Sequence, residues 1–265
     1  MVLCGLAGFA AAHAEVVAQQ LLAFGIGILL LSGGSLALNQ VQEHKLDELM
    51  PRTQKRPLPQ KELSFNLALL LSTLSLGGGL LLLYQVAPLS AALGLLTVAL
   101  YNGIYTPVLK PRSPLAAVFG ALPGALPVTM GVAAAGGDIF APASFYIFAI
   151  VFFWQLPHFW ILALRYKDDY ILAGIPVLPG VKGNRFTLTI IVGSTFVYLM
   201  IALFYPQIFG PGWAYAWLVL PVCLWVAAEA VFYLQKKGQE KWFRFFLALN
   251  TSVLVFLLAA VVGPV

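Results

Sequence analysis

Long apolar runs alternate with short polar connections along the whole chain. Runs near 21–38, 65–86, 88–106, 114–135, 143–164, 186–205, 213–234 and 245–265 each approach the ~20 apolar residues a helix needs to cross a bilayer. Their apolar positions are continuous, not alternating, which predicts helices and excludes an outer-membrane barrel. Met1–Ala12 is apolar but too short to cross alone. It reads as a shortened first transmembrane helix, preferred over a signal peptide because the basic region of such a signal is missing. The expected fold is all-α, a polytopic membrane bundle of eight full transmembrane helices plus the shortened first one. It forms a single domain over residues 1–265.

Composition narrows the class further. The chain is 61% hydrophobic and 9% charged, against roughly 45–50% and 25% for a soluble domain. That excludes a soluble enzyme, a disordered chain and a disulfide scaffold. Cys4 and Cys223 lie far apart in apolar runs and form no metal or redox spacing. The net charge of +5 comes without a basic-aromatic module, so no nucleic-acid partner is expected. Charge instead sets orientation. All 15 Lys and Arg fall in 39–62, 107–113, 165–185 and 235–244, and the alternate connections hold none. The positive-inside rule places those four connections in the cytoplasm and the C-terminus outside. Pro107, Pro111 and Pro114 make 107–114 an expected stiff, non-helical loop, and Pro123 and Pro127 are expected to bend the fifth helix.

Three constellations carry candidate chemistry. If the second helix runs on past Leu38, Asn39, Glu43 and Asp47 share one face over about 12 Å. Oxygen ligands followed by Arg52 and Arg56 suit a magnesium–diphosphate pair, while a solvated, orientation-setting loop explains the same residues equally well. The second constellation runs from Trp154 to Tyr170. Gln155 and His158 stand inside an apolar run, where polar groups are costly and are functional candidates by default. His158 is either a haem or substrate contact or the partner of a carbonyl freed by Pro157. Asp168 and Asp169 either hold a second metal or pair with Arg165 and Lys167. In the third constellation, Tyr101 and Tyr105 stand near Lys110. Such rings stabilise a cation or anchor a helix at the interface.

Residues Asn39 to Pro59 resemble the first signature of the protoheme IX farnesyltransferase (haem O synthase) family, within the UbiA-type intramembrane prenyltransferases. Tyr105 to Pro127, with the run Gly120-Ala-Leu-Pro-Gly-Ala-Leu-Pro127, is similar to the same family. So are Trp154 to Phe159, Asp168 to Tyr170 and Ala173 to Pro179. The likeness covers nearly the whole chain, and its last segment separates haem farnesylation from quinone prenylation. Departures exist. Glu43-His44-Lys45-Leu46-Asp47 stands where the family usually reads Glu-Arg-Asp-x-Asp. Pro51 precedes Arg52 and breaks the helix near Met50. The family's longer first helix and basic entry are missing, for which a mis-assigned start codon is the expected cause.

The resemblance implies farnesyl transfer from farnesyl diphosphate to the 2-vinyl group of haem B, giving haem O and diphosphate. It implies Mg2+ as cofactor, held by Asn39, Glu43 and Asp47 with help from Asp168 and Asp169. Arg52, Arg56 and Lys110 would take the diphosphate, Tyr105 would wall the allylic cation, and His158 would contact haem. The implied site is cytoplasmic, in a bacterial-type plasma (inner) membrane. Farnesyl diphosphate, haem B and the lipid bilayer are the expected partners, with a haem A synthase or terminal-oxidase assembly downstream. Two alternatives remain at this level: a UbiA-type enzyme acting on a quinone precursor, and a non-catalytic transporter or assembly factor.

Overall fold

A computed structural model describes residues 1–12 and 18–263. The helices are α1 (Val2–Ala11), α2 (Ala18–Leu49), α3 (Phe65–Val86), α4 (Pro88–Val98), α5 (Ala116–Ala134) and α6 (Pro142–Arg165). Short α7 (Lys167–Leu172) and α8 (Leu178–Val181) follow, then α9 (Asn184–Leu203), α10 (Tyr205–Phe209), α11 (Leu220–Tyr233), α12 (Lys236–Glu240) and α13 (Trp242–Val262). Among the described residues, eight helical stretches are long and apolar enough to cross a bilayer, and α1 is shorter, as the apolar runs predict. This is an integral membrane protein. The end of the predicted run 245–265 lies outside the described residues.

Local chemistry sets the element ends. The Ser64 hydroxyl accepts from the Leu67 N–H and caps α3. Pro88 and Pro142 open α4 and α6 at a position where no N–H is needed. α2 ends at Leu49, just before Pro51, so Asn39, Glu43 and Asp47 lie within one continuous helix.

One expectation is corrected. The 107–114 segment is not wholly non-helical, because α4 continues as a wide-turned π segment, Ala99–Leu109, that contains Pro107. The Lys110 N–H closes this segment onto the Tyr105 carbonyl at 2.8 Å, five residues back. Bonds of that length skip one residue further than α bonds, so the wide turn passes around a residue that lacks an N–H. α5 also runs as one helix through Pro123 and Pro127.

α5 is the hub of the bundle. Most of its residues are buried, whereas many of the leucines of α3 face outward. Its Ala and Gly residues let neighbours approach on every side. Phe9, Phe24, Ile28, Leu31 and Leu83 pack against Met130 and Ala134 at one end. Ala121, Ala125 and Val128 join a second cluster with residues of α6, α9, α11 and α13, in which α6 packs on α5 and the others lie beyond it. Two tyrosine hydroxyls within this second cluster are satisfied internally: Tyr146 and Tyr205 donate to the carbonyls of Ala202 and Ala259.

Candidate functional site

α2 and α4 run parallel and are tied by polar rungs at a fixed interval. The Ser35 hydroxyl donates to Asn102 Oδ1 at 2.6 Å, Asn39 Nδ2 donates to Thr106 Oγ1 at 3.1 Å, and Lys110 Nζ meets Glu43 Oε1 at 2.6 Å. Each rung lies four residues after the last on both helices, so one face of α2 meets one face of α4 and its π extension. Asn102 Nδ2 also donates to the Ser35 carbonyl and to Gln42 Oε1, and Gln42 Nε2 donates to the Asn102 carbonyl. Inside an apolar bundle these groups have no water to turn to, so the ladder fixes the register of the two helices.

Below the ladder the carboxylates meet cations. Asp47 is 1% exposed, and its Oδ2 lies 2.7 Å from Arg56 Nη1. Its Oδ1 is buried without a partner. The Asp47 carbonyl accepts from the Thr53 hydroxyl, which pins the turn after α2. Glu43 and Lys110 border a cavity of about 350 Å³ with Gln42, Thr106 and Pro107.

A second cavity of about 230 Å³ shares Lys110 and Ile175 with the first. Tyr105, Phe159, Trp160, Tyr170 and Leu178 give it apolar and aromatic walls, and Arg52 and Lys110 stand at its lips. Tyr105 stacks on Tyr101 with centroids 5.6 Å apart, and Gly120 leaves room for its ring, since a Cβ there would meet Tyr105 Cε2 at 2.8 Å.

The structure separates residues that the sequence reading groups together. Arg56 turns to Asp47, whereas the Arg52 guanidinium lies 4.9 Å over Tyr166 and 5.7 Å over Tyr170. The Arg52 N–H donates to Asp169 Oδ2 at 3.1 Å. Asp168 is exposed on α7. Among the described residues no three Asp, Glu, His or Cys side chains gather as a metal-binding group. The five oxygen side chains expected around metal are therefore not brought together here. Asn39 is engaged with Thr106, Glu43 with Lys110, Asp47 with Arg56 and Asp169 with Arg52.

The α2 face nevertheless fits a magnesium ion. It offers two carboxylates and one unpartnered buried oxygen, and magnesium takes one or two carboxylates while keeping its other positions for phosphate and water.

His158 stands apart from this mouth. It packs beside Trp154 and Phe246, with ring centroids 4.8 and 5.0 Å away, and its Nδ1 is buried without a partner. It borders a cavity of about 450 Å³ with Gln155, Phe159 and Asn250. Phe159 lines both this cavity and the Arg52 cavity. Gln155 is structural: its amide donates to the carbonyls of Ala121 and Val151 and packs against Gly124. Sequence reasoning assigned no part to Ser35, Gln42, Asn102 or Thr106. Part of the signal was there, since Ser35 and Asn39, and Asn102 and Thr106, are polar pairs four residues apart.

Known proteins resemble this chain in sequence and in fold. Residues 1–257 match the UbiA prenyltransferase family. The chain is 44% identical over 268 residues to the protoheme IX farnesyltransferase of Bdellovibrio bacteriovorus, spanning 98% of this chain and 90% of that protein. The fold superposes on a structure of digeranylgeranylglyceryl phosphate synthase with a TM-score of 0.79 at 15% identity, covering 99% of this chain and 92% of that one. It superposes on a UbiA homolog from Archaeoglobus fulgidus, bound to GPP and Mg2+, with a TM-score of 0.65 at 15% identity, covering 99% and 95%.

Proposed function

This chain belongs to the UbiA prenyltransferase family, and from that premise we propose that it transfers a farnesyl group from farnesyl diphosphate to the 2-vinyl group of haem B, giving haem O. The observation that carries the reading is the mouth of the bundle. Two carboxylates and two cations face one another there beside an aromatic cavity. The likeness to the Bdellovibrio protein supports haem as the acceptor.

Glu43 and Asp47, with Asn39 above them, would hold magnesium, which supplies Lewis-acid stabilisation of the departing diphosphate. Lys110 and Arg56 now neutralise those carboxylates. Lys110 and Arg56 would turn from these carboxylates to the phosphate oxygens of a bound donor, where they would stabilise the charge that develops as the C1–O bond breaks. Tyr105 presents an aromatic face to the allylic cation, and the apolar walls around it exclude water until the vinyl carbon attacks. Water then adds to the resulting benzylic-type cation and leaves a hydroxyethylfarnesyl substituent, with one proton released. His158 contacts the porphyrin from the adjoining cavity. The protein acts as a single membrane domain of the plasma membrane, with its mouth on the cytoplasmic side. Its product passes to a haem A synthase or a terminal oxidase.

The test is direct. Purified protein in lipid, given farnesyl diphosphate, Mg2+ and haem B, should form haem O, detected by mass. Asp47→Ala should insert normally and lose turnover by at least about a hundredfold, the scale of one lost charge-stabilising group. Absence of haem O with wild-type protein would reject the reading, and wild-type turnover in Asp47→Ala at saturating magnesium would remove Asp47 from the site.

A further inference from the structure

The two arginines of the loop after α2 lie four residues apart yet face different chemistry. Arg56 is bound to Asp47. The Arg52 side chain forms no ion pair among the described residues. Asp47 serves Arg56, Glu43 serves Lys110, and Asp169 accepts the backbone N–H of Arg52 itself. Its guanidinium instead lies against the faces of Tyr166 and Tyr170 and reaches the Tyr170 hydroxyl at 3.4 Å. Two rings and a backbone anchor hold a forked, uncompensated cation at the lip of the aromatic cavity.

We propose that Arg52, positioned by Tyr166 and Tyr170, binds a carboxylate of the acceptor and not the diphosphate of the donor. The cavity it guards suits a ligand with a flat apolar body and an anionic edge. Phe159, Trp160 and Leu178 meet the body, and the guanidinium fork meets the carboxylate. Arg52 does not line the cavity at Glu43, which shares Lys110 and Ile175 with this one. Lys110 borders both cavities, so donor and acceptor meet across it. This inference rests on haem as the acceptor. Haem carries its propionates on the edge opposite its vinyl groups, so a propionate held on the α7 side turns the vinyl edge away from Arg52. Tyr166 and Tyr170 are positioning residues: they hold the guanidinium and need not touch the ligand.

Esterifying the propionates separates this contact from all others. The full chain in phosphatidylcholine nanodiscs with Mg2+ is titrated with haem B, with its dimethyl ester, and with a thio analogue of farnesyl diphosphate. Wild-type protein should prefer the free acid by at least about fivefold, the scale of a solvent-reaching charge-assisted contact. Arg52→Gln should reduce that preference to within about twofold while leaving the affinity for the analogue within about twofold. If Arg52→Gln does not fold, Arg52→Lys is used. It keeps the charge without the fork, and the preference should fall at least about threefold. A preference that survives in the variant, or a loss of analogue binding with the preference intact, overturns the assignment and leaves the haem reading standing. Wild-type protein that binds no porphyrin overturns both.

Discussion

Three polar residues illustrate how little of a side chain's role is local. Asn39, Glu43 and Asp47 are spaced for one helical face, and α2 delivers that face. Their partners come from 9 to 67 residues away in sequence, and no spacing rule names them. His158 is the converse case. The Pro157 beside it suggested a freed carbonyl as partner, yet Nδ1 is buried and unpartnered among aromatic rings. A buried polar atom without a partner costs about 1–3 kcal/mol. His158→Phe keeps an aromatic ring in that space and removes the cost. The variant is therefore expected to melt no lower than wild type, by up to about 1 kcal/mol the other way, while haem-dependent turnover falls at least tenfold, roughly the worth of one polar contact. Thermal melting and haem O formation on the same preparation check this. A lower melting point with turnover unchanged would make the imidazole a packing group.

Among the elements, the α2–α3 pair shows how closely two membrane helices are built. A Cβ at Gly79 would meet the Leu31 backbone N at 2.6 Å and the Gly27 carbonyl at 2.8 Å. A Cβ at Gly34 would meet the Leu76 backbone N at 2.8 Å. Backbone touches backbone, so nothing flexible can yield. Gly79→Leu should push α3 off α2 and destabilise the protein by about 1–3 kcal/mol, the usual cost of overpacking. A fall in melting temperature would register it, and an unchanged melting curve would show the interface to be looser. Gly78, where a Cβ finds only Leu30 Cδ1 at 3.8 Å, is the control. The position of every span was legible in the sequence, because twenty apolar residues are their own signal. The π extension of α4 was not. A proline normally stops a helix, and the wide turn that carries the chain past Pro107 depends on the Lys110 N–H finding the Tyr105 carbonyl.

For the whole molecule, sidedness is the sharpest expectation. In the folded bundle all Lys and Arg lie at one set of helix ends, including Arg165 at the end of α6 and Arg185 at the start of α9. Single cysteines at Lys182→Cys and Asp138→Cys, both exposed positions, should react with impermeant reagents from opposite sides, 182 from the cytoplasm. The background would replace Cys4 and Cys223, which are buried. Labelling of both from one side would overturn the topology.

By itself the sequence determined the eight spans, the shortened α1, the gathering of Lys and Arg in alternate connections and the face that Asn39, Glu43 and Asp47 share. Each follows from local quantities: the length and polarity of a run, a count of charges that cannot cross a bilayer, and a spacing along one helix. Only the tertiary structure decided which cation meets which carboxylate, that Arg52 parts from Arg56, that Lys110 borders two cavities, and that Ser35, Asn102 and Thr106 form a ladder. The reason is physical. Inside lipid every polar group must find a partner within the protein, and which one it finds depends on how helices far apart in sequence are packed side by side.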